Sequence, residues 1–236
     1  MHRDLTFTSL IGQTFAEITE NIRLVMIFIA IAVPIAALSL YLGGATGFAE
    51  GYTLGQSWQG SDGGAVGLFA TIFAFVASIV LSYWLYSALT RRSQTVDFAR
   101  FWPWLGIWVL LTLGIVFGFI LLIVPGLILL VRWAMVLPLV IEGRMPAMDT
   151  LTESWERTSG YGWPIFGVLV VLFILVSVAG SVVQGIAGVL GGASSILGSV
   201  LAAAASEASN TLFVACAVAV YRLLRNQQEA LTEVFE

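Results

Sequence analysis

Lysine is absent from the 236 residues, histidine occurs once, at position 2, and cysteine once, at position 216. A lone cysteine inside an apolar segment allows no intramolecular disulfide, and no metal site can rest on thiolates. Charged residues make up only 10% of the chain against 59% hydrophobic residues, and the mean hydropathy is +0.97. These values lie outside the range of soluble globular domains. All ten basic residues are arginine and none forms a basic block, so the electrostatic footprint of a nucleic-acid partner is missing. An arginine-only basic set suggests a GC-rich bacterial coding sequence.

Long apolar runs are what the chain has instead. Residues 104–141 carry a single charge, Arg132. A helix needs roughly 20 apolar residues to cross a hydrocarbon core of about 30 Å, so this run is long enough for two crossings folded back at Val124-Pro125-Gly126. Backbone polar groups in hydrocarbon need internal partners, which makes these crossings helices. The whole chain reads as an all-α, polytopic membrane protein, residues 1–236 forming a single integral-membrane domain. Six spans are predicted, at about 23–42, 65–89, 104–124, 126–141, 163–190 and 197–224. The fourth is short and crosses only with little tilt or at a locally thinned site. The first is not a cleaved secretory signal, because Glu17 and Glu20 fall in the long stretch that precedes it.

The arginines orient the spans. Arg3, Arg23, Arg91, Arg92, Arg100, Arg144, Arg157, Arg222 and Arg225 fall in flanks and loops of one side, which predicts cytoplasmic N- and C-termini in a bacterial inner membrane. Tyr83, Trp84, Tyr86, Phe101, Trp102, Trp104, Tyr161 and Trp163 place aromatic rings at the same interface. Short amphipathic interfacial helices are expected on the cytoplasmic side. Residues 147–159 set Met148, Leu151 and Trp155 on one face, and Leu10, Ile11, Phe15, Ile18 and Ile22 form a similar stripe before span 1. Val96–Phe101 is a shorter candidate before span 3. The spelling W-P-x-x-G recurs at Trp102–Gly106 and Trp163–Gly167. Either the chain contains three units of interfacial helix plus hairpin, or tryptophan and proline are simply favoured where a chain enters the membrane.

Val124-Pro125-Gly126, Val131-Arg132-Trp133, Leu137-Pro138, Glu142-Gly143 and Ser154–Gly160, with Trp163 and Gly167, resemble a bacterial family signature. The family is named for the membrane domain of glycerophosphoryl diester phosphodiesterase, and the chain is also similar to YciC-like inner-membrane proteins. The likeness covers about 45 residues, and Tyr221–Arg225 resembles the family's closing segment. It implies a six-helix membrane module and not a hydrolase. In multidomain members the diesterase chemistry sits in a separate soluble barrel that this chain has no room for, and such chemistry needs clustered carboxylates and histidines around a metal.

Arg132, Gln184, Glu207 and Asn210 stand out as polar residues well inside predicted spans. Arg132 lies roughly 9 Å from the outer end of span 4 at 1.5 Å per residue, and the other three also map to the outer half. Embedded ionisable groups are costly and tend to face protein or water, often in pairs. The cluster reads as a buried Arg132–Glu207 tie that fixes helix register, or as a polar cavity for a lipid headgroup or small anion. Gly114 with Gly118, Gly188 with Gly192, and Ala202–Ser206 are small-residue spacings that let helices approach closely. Glu50 and Asp62, in a glycine-rich loop, offer too few oxygens for a hard cation.

These features predict a non-enzymatic accessory or organising subunit, or a lipid-contacting protein, with no cofactor. Its expected partners are membrane lipids and another membrane complex or a second copy. A transporter or lipid translocator with an outer-leaflet polar cavity is the alternative, weakened by the shortage of embedded ionisable groups. An intramembrane enzyme would need a nucleophile beside a base, and His2 alone at the terminus with no acidic pair in a span weighs against it.

Overall fold

The computed structural model describes residues 5–43, 64–92 and 98–235, without the side chains of residue 193 and of those beyond 226. The loop carboxylates Glu50 and Asp62 and the start of the Val96–Phe101 stretch lie outside the described residues. Within them every regular element is helical: α1 (Phe7–Glu20), α2 (Ile22–Tyr41), α3 (Gly64–Arg91), α4 (Phe101–Leu121), α5 (Ile123–Arg132), α6 (Val136–Glu142), α7 (Asp149–Arg157), α8 (Gly162–Val189) and α9 (Ile196–Phe235). Six segments are long and apolar enough to cross a membrane: α2, α3, Phe98–Leu121, Ile123–Glu142, α8 and Ile196–Asn226. The chain is therefore a multi-pass membrane protein, with α1 before the first of these segments and α7 before the fifth.

Proline positions explain several helix starts. Pro103, Pro125, Pro138 and Pro164 each occupy the third residue of a helix, α4, α5, α6 and α8 respectively. There the missing N–H would have had no intrahelical partner anyway. Pro138 also accounts for the break between α5 and α6. It cannot bond back to the carbonyl of residue 134, and residues 133–135 form a turn.

The reversal between α4 and α5 differs from expectation in its place and in its glycine. It falls at Leu122, the one extended residue (φ −164°, ψ 145°), and Pro125 and Gly126 already belong to α5. Gly126 supplies room, not a left-handed turn. A Cβ there would meet the Phe119 ring at 2.6 Å, and one on Gly118 would meet the Gly126 Cα at 2.9 Å. With α5 starting at Ile123, the fourth span reaches 20 residues and loses its predicted shortness. Gly114 serves packing in the same hairpin, since a Cβ there would lie 2.6 Å from the Trp133 ring.

The chain forms two compact units whose boundaries fall inside α3, α8 and α9. Unit 1 comprises residues up to Asn21, Tyr86–Val170 and the chain from Val214. Its core includes the fully buried Leu10, Trp104, Met135, Leu139, Ile165 and Tyr221, with Tyr86 tilted against Trp104 at 6.0 Å. Unit 2 comprises Ile22–Leu85 and Val171–Phe213. There Val33, Ala36 and Ala37 of α2 pack on Ala203 of α9, with Ile29, Leu40 and Ala204 around them. Its α8–α9 turn uses two left-handed glycines, Gly191 (φ 99°) and Gly192 (φ 59°), a conformation that residues with a Cβ rarely hold.

Candidate functional site

Unit 1 concentrates polar side chains in three places. The first is the break after α5. With residues 133–135 turned, the Arg132 carbonyl loses its helical partner, because the Val136 amide bonds to the Trp133 carbonyl instead. The Ser154 hydroxyl beside it takes that place, donating to the Arg132 oxygen at 2.7 Å, while the Thr158 hydroxyl gives its proton to the Ser154 carbonyl at 2.8 Å and lies 3.4 Å from the Arg132 oxygen. The Arg132 guanidinium lies 5.3 Å from the centre of the Trp155 ring and donates to the Trp155 carbonyl at 3.5 Å. The S-W-E-R-T stretch thus caps a broken helix and holds its arginine.

This docking buries a face of α7 that its apolar stripe does not mark. The side of α7 and its C-cap packed on protein is Thr150, Ser154 and Thr158, all at 0% exposure, whereas Met148 and Trp155 are exposed. The N-terminal helix does the same. Leu10, Thr14 and Glu17 are its buried residues, and Phe15 of the apolar stripe is exposed. Both helices bury hydroxyl or carboxyl groups and show apolar side chains outward, the arrangement that suits hydrocarbon surroundings.

The second place is Glu17, fully buried. Its carboxylate takes Arg222 Nη1 at 2.5 Å and the Gln13 amide at 2.8 Å, with Arg92 at 3.9 Å. Arg222 also donates to the Leu89 carbonyl, and Arg92 pairs with Glu20 at 2.7 Å. Sequence reading missed this knot, having used Glu17 only to exclude a signal peptide and Arg222 only as a flanking charge. The available signal was the spacing 10, 14, 17, which puts Leu10, Thr14 and Glu17 on one helical face.

The third place is the end of α6. Helix C-termini leave carbonyls without partners, and here arginines take them: Arg91 donates to the Ile141 carbonyl at 2.8 Å and Arg100 to that of Gly143 at 2.6 Å. Gly143 is left-handed (φ 74°), and a Cβ on it would meet the Arg100 guanidinium at 2.8 Å. Glu142 takes Arg144 at 2.8 Å and Arg225 at 3.7 Å.

The predicted polar residues come from both units. Arg132 belongs to unit 1, whereas Gln184, Glu207 and Asn210 belong to unit 2. The Glu207 carboxylate bonds the Asn210 amide, which also donates to Ser82 Oγ at 3.5 Å. Gln184 is exposed on α8. The two ends of the expected Arg132–Glu207 tie thus fall in different units, each with its own neighbour. Among the described residues no group of three or more His, Cys, Asp or Glu side chains is placed to hold a metal ion.

Two cavities lie in unit 2. One, of about 20 Å³, is bounded by Glu207 and Ser78 together with Phe28, Ala32, Ala36 and Ala74. The other is an open apolar groove of about 360 Å³ between α2 and α3, lined by Ile35, Leu38, Leu42, Val66, Phe69 and Phe73. No protein-family model, curated protein or solved structure matches the chain.

Proposed function

We propose that this chain is a non-enzymatic module of a bacterial inner membrane that contacts lipid and organises or assists other membrane components. The groove between α2 and α3 is the observation that carries this reading. Its walls are apolar side chains of two membrane-crossing helices, and its volume of about 360 Å³ suits a lipid acyl segment. In hydrocarbon the occupant at hand is an acyl chain. The outward apolar faces of α1 and α7, with Phe15, Met148 and Trp155 exposed, support the same reading as membrane-contact surfaces. So does the resemblance of residues 123–167 to the glycerophosphoryl diester phosphodiesterase membrane-domain family.

The test is photo-crosslinking in native-lipid discs with a phospholipid that carries a diazirine on its acyl chain. Labelled peptides should concentrate on Leu38–Leu42 and Val66–Phe73, and Ala70→Trp, which fills the groove, should lower that labelling several-fold. Labelling spread evenly over all lipid-facing helices would sink the proposal. Both termini are assigned to the cytoplasm from the arginine distribution. A periplasmic reporter fused at residue 95 or at the C-terminus should therefore be silent, and activity at either site would reverse the orientation. A translocator is the second reading, and Glu207 is what favours it, as an ionisable group inside a span. Lipid scrambling or solute flux in liposomes holding the purified chain would decide for it.

A further inference from the structure

We propose that the arginines at one end of unit 1 form a docking surface for the headgroups of anionic phospholipids, with Arg92 and Arg144 meeting the phosphates. The inference rests on the lipid-contact reading but concerns headgroups, not the acyl groove.

Four membrane-crossing segments end where these arginines gather. The segments stop or start at Arg91, Phe98, Glu142 and Asn226, and Arg91, Arg92, Arg100, Arg144, Arg222 and Arg225 all lie within four residues of those ends. Their contacts join them into one rim. Arg92 and Arg222 share Glu17, and Arg144 and Arg225 share Glu142. Arg91 and Arg100 hold the carbonyls on either side of Glu142, those of Ile141 and Gly143. Arg222 also reaches the Leu89 carbonyl, close to Arg91 and Arg92 in the chain. Trp102, exposed in the first turn of α4, is the kind of ring that settles at headgroup level.

Burial then decides the sign of the surface. Six guanidinium groups meet three carboxylates, Glu17, Glu20 and Glu142, and two of the three lie beneath them. The Glu17 side chain is 0% exposed and that of Glu142 15%, against 53% for Arg92 and 66% for Arg144. Glu20 is the exposed acid, and Arg92 takes it. Over all described side chains of unit 1 arginines outnumber acids eight to six, so the excess survives Asp149, Glu153 and Glu156 of α7. Arg92 also holds a left-handed backbone (φ 51°), alone among the described non-glycine residues. Glycine or asparagine would take that place after a helix at lower cost, which points to a role for the side chain. Guanidinium forks match phosphate oxygens, and arginines clustered where spans leave the membrane attract anionic lipid.

The experiment is thermal unfolding of the purified chain in a neutral detergent, with dioctanoyl phosphatidylglycerol or dioctanoyl phosphatidylcholine added at equal concentration. The two lipids share their acyl chains, so the difference reports the headgroup alone, and its absence would leave the acyl labelling of the groove standing. Phosphatidylglycerol should raise the midpoint by about 2–4 °C more than phosphatidylcholine does. Arg92→Gln with Arg144→Gln should abolish that difference, while Glu17 and Glu142 keep Arg222 and Arg225 as partners. Arg157→Gln, whose partner is Glu153, should leave it unchanged. Equal midpoints in the two lipids would overturn the proposal, as would a difference that survives the double variant. An equal rise with inorganic phosphate would also overturn it, by marking a site for a free anion. Should the double variant fail to fold, native mass spectrometry of the wild-type chain from an equimolar mixture of the two lipids decides. Phosphatidylglycerol enriched among the retained molecules supports the surface, and equal retention refutes it.

Discussion

Two carboxylates, one in each compact unit, are handled in opposite ways. Glu17 in unit 1 is fully buried and takes Arg222 at 2.5 Å, the Gln13 amide and a more distant Arg92. Glu207 in unit 2 is partly exposed, bonds the Asn210 amide and borders a cavity. Unit 1 neutralises its embedded polar groups with its own side chains, joining α1, α3 and α9 through one knot. Unit 2 packs small apolar residues such as Ala36, Ala37 and Ala203 and leaves its acid beside open space. The difference separates a carboxylate tied to arginines from one that borders a cavity.

The comparison breaks most readily at Glu17. Glu17→Leu strands the Arg222 guanidinium in a buried setting and should destabilise the chain by about 3–5 kcal/mol, whereas Glu17→Leu with Arg222→Leu should recover much of that loss. Glu207→Leu should cost far less, because no arginine loses its partner. Chemical unfolding in detergent, followed by tryptophan fluorescence, reads all three. Equal penalties for Glu17→Leu and Glu207→Leu would erase the distinction between the units.

A smaller effect sharpens the account of unit 1. Ser154→Ala removes the hydroxyl that caps the Arg132 carbonyl at 2.7 Å and should cost about 1 kcal/mol. Thr158 Oγ1, already at 3.4 Å, remains as a weaker substitute. Hydrogen exchange should show the amides of 133–136 opening more often in the variant. Unchanged protection there would mean that α7 does not stabilise the break.

Six spans, their approximate limits and the membrane setting were legible in the sequence, because a crossing helix must be long and apolar whatever it packs against. Polar contacts were not legible in the same way. Arg132 and Glu207 attracted notice as charges inside apolar runs, and Asn210 could be placed one turn from Glu207 on the same helix, yet the Trp155 neighbour of Arg132 depends on where helices meet. Glu17 and Arg222 lie 205 residues apart in the chain, and each looked like an ordinary flanking charge. The apolar stripes of α1 and α7 did not tell which polar residues the protein buries, Thr14 and Glu17 on the one and Thr150 and Ser154 on the other, while Phe15, Met148 and Trp155 are exposed.

Composition and apolar run length by themselves determined that this chain is a multi-pass helical membrane protein, since hydrophobicity and helix length are local properties that act before any tertiary contact. Proline spacing was local too: it limited where α4, α5, α6 and α8 could begin. Tertiary structure alone decided that Leu122 is the reversal and Gly126 the contact, that Ser154 caps a broken helix, and that one carboxylate is tied while the other is left beside a cavity. Those outcomes depend on which side chains distant in sequence arrive at the same point, and a pairwise distance is not encoded in either residue alone.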